Sequence, residues 1–205
     1  MGACAIDANE VFFDDYRVPA HCLVGEQGTG FTTILRGMNA ERCLLAGEAL
    51  GLGYAALAKA AAYAKDRVVF GRPIGMNQGI AHPLADAWMR LEAAQLATYH
   101  AARLYDSCLK HAAGSSNAGS STTTTTAVTL KDVGVAANTA KYLAAEAAFA
   151  ACERAVLAHG GMGYAREYDV ERFLRESLIP RIAPVSREMV LNFVGEKVLG
   201  LPRSY

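Results

Sequence analysis

Between Phe31 and Pro73, apolar and small residues recur at helical spacing for long enough to dictate one elongated helix. Ile34, Met38, Leu45 and Leu52 fall on a single cylinder, and Ala49, Ala56 and Ala60 add small residues to it. Gly47, Gly51 and Gly53 count against such a helix, since each interior glycine costs on the order of 1 kcal/mol relative to alanine. The helix must therefore be held by close packing against neighbours. The spacing predicts its end at Gly71, which suits a left-handed cap, and before Pro73, with Arg67 in the last turn beside the negative end of the dipole.

The rest of the chain repeats this pattern in shorter pieces. A second helical period runs from Gln78 to about His111, with Pro83 in or near the first turn, where proline is best tolerated. Residues 114–126, mostly Ser and Thr, have no apolar period and read as a flexible loop. An alanine-dominated helix from about Val128 to Leu157 follows, then shorter ones from about Val170 to Ile179 and Ser186 to Leu199, separated by Pro180 and Pro184. Glu10–Pro19 suggests short extended segments around a turn. The expected fold is all-α, an up-and-down bundle of four to five helices with a short extended N-terminal segment. Its core should contain Ile34, Met38, Leu45, Leu52, Leu84, Trp88, Leu91, Leu143 and Phe149.

Composition narrows the function classes. In 205 residues, twenty basic and twenty acidic side chains give no net charge, so nothing favours nucleic acid or an anionic membrane. Five scattered cysteines without a Cys-x-x-Cys pair predict reduced thiols in an intracellular, reducing compartment, with neither a disulfide frame nor a metal site. No uninterrupted apolar run is long enough to span a bilayer, and a soluble protein is expected, whether mitochondrial or cytoplasmic.

A few residues exceed structural need. Glu41 lies in an apolar run (Met38, Ala40, Cys43, Leu44, Leu45), where burial would raise its pKa toward that of a general base; the alternative is a solvated pair with Arg42. Arg67 and Phe70, at i and i+3, would set a guanidinium fork beside a ring, a pairing suited to a phosphate on a flat heterocycle; the alternative is a dipole partner. His159 reads as a packed or dipole-facing residue and Gly160–Gly161 as its helix cap.

Four segments stand together: Asn39-Ala40-Glu41-Arg42; Arg67 through Pro73 with Asn77-Gln78 after it; His159 through Tyr164; and Glu167 through Arg172. In order and spacing they resemble the acyl-CoA dehydrogenase family. The resemblance covers nearly the whole chain but only the C-terminal part of a family member, with residues 1–30 as the remnant of a β-domain and its linker and 31–205 as the C-terminal helical bundle. It implies FAD as cofactor and α,β-dehydrogenation of an acyl-CoA thioester. The residues that match cofactor-binding positions are Arg67, Phe70, Gln78, Leu157, Gly160, Gly161, Ser186 and Glu188. Those that match the substrate edge are Asn39, Ala40, Arg42, Pro184 and Val185.

Pro184 occupies the position where many family members carry the catalytic glutamate, and proline neither accepts nor donates a proton. The isovaleryl-CoA dehydrogenase branch instead places its glutamate on the first long helix, at a position that matches Glu41. The resemblance further implies a homodimer or homotetramer with shared FAD sites, and electron-transfer flavoprotein as a possible electron acceptor. A competing class is a catalytically inactive assembly module or truncated remnant that kept the fold and lost the reaction.

Overall fold

The computed structural model describes residues 2, 6, 7, 9–114 and 128–203. Three long helices dominate: α1 (Gly30–Asp66), α2 (Gln78–Gly114) and α3 (Leu130–His159). Between α1 and α2 sits a two-stranded antiparallel hairpin, β1 (Val68–Val69) and β2 (Arg72–Pro73), with Val68 opposite Pro73. Three shorter helices follow: α4 (Val170–Glu176), α5 (Ile179–Ile182) and α6 (Arg187–Lys197).

Contacts along the long helices give their directions. Tyr54 of α1 donates from its hydroxyl to Glu92 and Gln95 of α2, both at 2.8 Å, while α1 meets α3 in rising order, Leu52 with Cys152 and Tyr63 with His159. So α2 runs back along α1, and α3 runs parallel to α1, an up-down-up core closed by α4–α6. The all-α bundle expected from the sequence is the fold observed. At the start of α3, Thr129 Oγ1 accepts from the Asp132 amide and Asp132 accepts from the Thr129 amide, a capping box.

The core is built of alanine rather than of the bulky residues expected there. Ala46, Ala49, Ala56, Ala60, Ala87, Ala94, Ala140, Ala144 and Ala148 are buried, whereas Ile34, Trp88 and Leu143 are 64%, 51% and 40% exposed. Of the expected core residues Leu91 alone is fully buried; Met38, Leu45, Leu52, Leu84 and Phe149 are half-buried. Small side chains let the helix backbones approach, and the large ones are left on outward faces. Gly53 marks the tightest crossing: a Cβ there would lie 2.6 Å from Leu91 Cδ2 and 3.1 Å from Ala148 Cα. Gly47 and Gly51 have nothing within 4 Å of that position, so only Gly53 answers a packing demand.

Other expectations need correction. The first helix ends at Asp66, and Phe70-Gly71 forms the hairpin tip, with φ of 53° and 78°. β-Branched Val68 and Val69 followed by two positive-φ residues favour a tight hairpin turn over another helical turn. Pro83 falls in the second turn of α2, near the helix start as expected. Within residues 9–28 no strand forms among the described residues, only a 3-10 turn at Ala20–Cys22. Val11, Phe12 and Phe13 are exposed there, since an extended segment needs a sheet edge to pair with. The predicted loop at 114–126 lies, from residue 115 on, outside the described residues. An 18-residue stretch of α1 has a mean hydropathy of 1.2, enough by length and composition to cross a membrane, contrary to the expectation; α1 packs along both α2 and α3.

Candidate functional site

The first turns of α1 and α3 diverge from the start of α6 around a cleft of about 700 Å³. Its walls are mostly apolar: Phe31, Leu35 and Met38 come from α1, Leu130 from α3, and Met189 and Phe193 from α6. Its polar lining comes from Asn39 and Arg42 on α1, Lys131 and Asn138 on α3 and Lys197 on α6, with Val185 beside them. Helical spacing of three residues puts Asn39 and Arg42 on one face.

Arg42 is the unusual member of this wall. It is 8% exposed, and its Nη1 donates to Asn39 Oδ1 at 2.8 Å, while its buried Nε has no hydrogen-bond partner. Burial lowers the guanidinium pKa, with the Glu41 carboxylate opposing that shift. The side chain as a whole lines the cleft, so its positive charge stands beside an occupant, while the Nε itself is sealed from the open space.

Glu41 behaves otherwise. It is exposed and does not line the cleft, so the desolvation expected of it is absent in this chain. The cause is geometric: adjacent helix residues point about 100° apart, and here Arg42 takes the inward direction. Ala40 and Pro184 are half-buried and are not among the lining residues either.

Beside this cleft lies a residue that sequence reasoning missed. Lys141, in the middle of α3, is 1% exposed, and its Nζ donates to the Val185 carbonyl at 2.5 Å. Burial, then the nearby charge of Arg42, lowers its pKa. The available signal was its place in phase with Ala137, Ala144 and Ala148, the buried stripe of α3. Further along α3, Glu146 receives Arg181 through two nitrogens, at 2.9 and 3.3 Å, and Arg187 lies 3.6 Å from it, so α5 and α6 are held against α3. Ser186 caps α6, its Oγ accepting from the Met189 amide at 3.4 Å, and exposed Glu188 pairs with Arg187 at 3.3 Å.

The remaining predicted residues lie at the opposite end of the bundle. Phe70 stands wholly exposed at the hairpin tip, and Arg67 is the exposed residue that ends α1. Gln78 opens α2 next to a hollow of about 210 Å³ lined by Gly79, Ile80, Pro83, Arg154 and Leu157. Gly160 and Gly161 follow α3, with open space where a Cβ would project. His159 is buried between Tyr63, stacked at 4.3 Å, and Tyr168, edge-on at 5.5 Å, its Nδ1 lying 2.7 Å from the Ala155 carbonyl oxygen. It is a packed residue. At 1.5 Å per residue, the 25 residues from Arg42 to Arg67 separate the two ends by about 37 Å.

With this geometry in view, the likeness to known proteins is specific. Residues 28–199 match the family model described as acyl-CoA dehydrogenase, C-terminal domain. The chain is 43% identical over 198 residues to acyl-CoA dehydrogenase FadE12 of Mycobacterium tuberculosis, covering 96% of this chain and 45% of that protein. It is 32% identical over 176 residues to subunit CarC of the caffeyl-CoA reductase-Etf complex of Acetobacterium woodii, covering 86% of this chain and 41% of that one. Among solved structures, butyryl-CoA dehydrogenase from Megasphaera elsdenii superimposes with a TM-score of 0.74 at 33% identity, over 91% of this chain and 43% of its own. The chain thus spans about half the length of the curated relatives it matches.

Proposed function

The chain belongs to the acyl-CoA dehydrogenase family, and we propose that it supplies the helical half of an FAD-dependent enzyme that dehydrogenates an acyl-CoA thioester between its α and β carbons. The observation that carries this reading is Arg42, a buried guanidinium with an unpartnered Nε on the polar side of an apolar cleft. An acyl chain suits the walls, and a thioester carbonyl suits the donor. The alternative of an inactive assembly module gives a buried cation in the wall of an apolar cleft no task.

Within the cleft, Arg42 and Asn39 would orient the acyl end, with Val185 closing the substrate edge beside Pro184. Glu41 would take the α-proton onto its carboxylate, Pro184 having no group for the task. Its exposure in this chain leaves it open to be covered by the other half that the relatives carry. The far end fits the cofactor: the open space at Gly160 and Gly161 admits close backbone approach, and Phe70 and Arg67 leave a ring and a guanidinium uncovered. There Arg67, Phe70, Gln78, Leu157, Gly160 and Gly161 would hold FAD, with Ser186 and Glu188 contacting it near the cleft. FAD, when bound, supplies the acceptor for the hydride that leaves the β-carbon.

The separation of about 37 Å between Arg42 and Arg67 is too long for one flavin to touch both. It supports cofactor sites shared between copies, in a homodimer or homotetramer. Electron-transfer flavoprotein is the proposed electron acceptor, in keeping with the Etf complex to which the CarC relative belongs. The test is Glu41→Gln in the enzyme completed with the N-terminal half that its relatives carry. Acyl-CoA should still bind, and turnover should fall at least about a hundredfold. Turnover at the parent rate would place the base elsewhere, and an Arg42→Gln enzyme that bound acyl-CoA as tightly as the parent would defeat the cleft assignment.

A further inference from the structure

We propose that Lys141 is a positioning residue for the cleft, a buried cation that fixes the Val185 carbonyl and, through it, the start of α6; its role toward substrate rests on reading the cleft as the thioester site. Burying an ammonium carries a penalty of several kcal/mol when no counter-ion offsets it. Lys141 accepts that penalty at 1% exposure, and no carboxylate of the described residues lies within ion-pair distance of its Nζ. Its hydrogen bond runs from α3 to Val185, 44 residues on, at 2.5 Å.

Val185 lines the cleft, and the next residue caps α6. The Ser186 carbonyl accepts from the Val190 amide at 3.2 Å, and Ser186 Oγ accepts from the Met189 amide, so the first turn of α6 hangs on where residues 185 and 186 sit. Met189 itself is a cleft wall. A neutral donor would anchor one carbonyl at less expense. A cation adds a positive field on the side of the cleft where Arg42 already stands, also without an ion-pair partner among the described residues, and that field favours a carbonyl oxygen gaining negative charge.

The experiment is Lys141→Met in the completed enzyme, with two readouts. Amide hydrogen exchange at Met189 and Val190 should quicken about tenfold while the amides of α2 keep their protection. The kcat for an acyl-CoA should fall about tenfold with KM changed less than about threefold. Lys141→Arg, which keeps cation and donor, should restore both. Unchanged exchange at Met189 and Val190 overturns the anchoring role, and a loss of kcat that only follows the folded fraction overturns the role toward substrate. Should Lys141→Met fail to fold, Lys141→Gln carries the same two readouts. Failure of the thioester reading itself would appear separately, as Arg42→Gln leaving acyl-CoA binding intact while the exchange result still judges Lys141.

Discussion

At the cleft end of the bundle, two cations are buried, Arg42 in the cleft wall and Lys141 on a carbonyl that edges it; at the hairpin end, Phe70 and Arg67 are exposed, Phe70 wholly so among the described residues. One end is preorganised by its own helices, because residues of α1, α3 and α6 line a single cleft there. The other end offers parts only. Physical completeness thus differs within one fold: substitutions at the cleft should register as lost geometry, whereas those at the hairpin should be silent until a second surface and a ligand are present.

The contrast breaks most readily at Gly163, behind the hairpin end. A Cβ there would lie 2.3 Å from the Val156 carbonyl oxygen, which is backbone and cannot swing aside. Gly163→Ala should lower stability by about 3 kcal/mol, the upper range for overpacking. A denaturant midpoint equal to the parent's would show that the backbone after α3 yields, and that the hairpin end is looser than drawn. The smaller effect is at Arg67. Arg67→Ala should leave the stability of the bundle unchanged within about 0.5 kcal/mol and weaken FAD retention by about 1.5 to 3 kcal/mol, read by dialysis of the completed enzyme. Flavin kept as well as in the parent would make Arg67 only the residue that ends α1.

The sequence made the long helices legible, because their periods run for many turns and end at recognisable signals. It misled on which face of α1 points inward. The stripe of bulky residues, Ile34, Met38, Leu45 and Leu52, is out of phase with the buried face, which runs Asn39, Arg42, Ala46, Ala49, Gly53, Ala56 and Ala60 with Leu50 and Leu57 along its edge. Where helices approach this closely, alanine and glycine line the crossing itself, and only a few larger residues such as Leu50, Leu57 and Leu91 fit beside them. That one phase error accounts for two misreadings: Glu41 was expected inside and Ile34 in the core. Arg42 follows from the small-residue stripe directly. Lys141 was overlooked for a related reason: a lone charge among alanines is conspicuous only after the alanines are known to be the interior. The hairpin was missed because Val-Val-Phe-Gly continues the chain's hydrophobicity, and two residues per strand give no period to detect.

The burial of Lys141, with no ion pair to it among the described residues, also couples folding to protons. Burial and Arg42 hold its pKa below the ordinary 10.5, with Glu146 and Glu188 offsetting part of the shift. On raising the pH, the folded chain releases this proton before the unfolded chain does. Between the two pKa values the unfolded state binds more protons, so stability rises with pH across that window; below it the full penalty of the buried charge is carried. Lys141→Met should remove that alkaline rise, as measured by denaturation at a series of pH values approaching 10.5; an unchanged slope would mean that another group titrates there. A protein of this design carries its working cation at the expense of the fold, and the contribution of this side chain to stability is largest only after the cation has given up its proton.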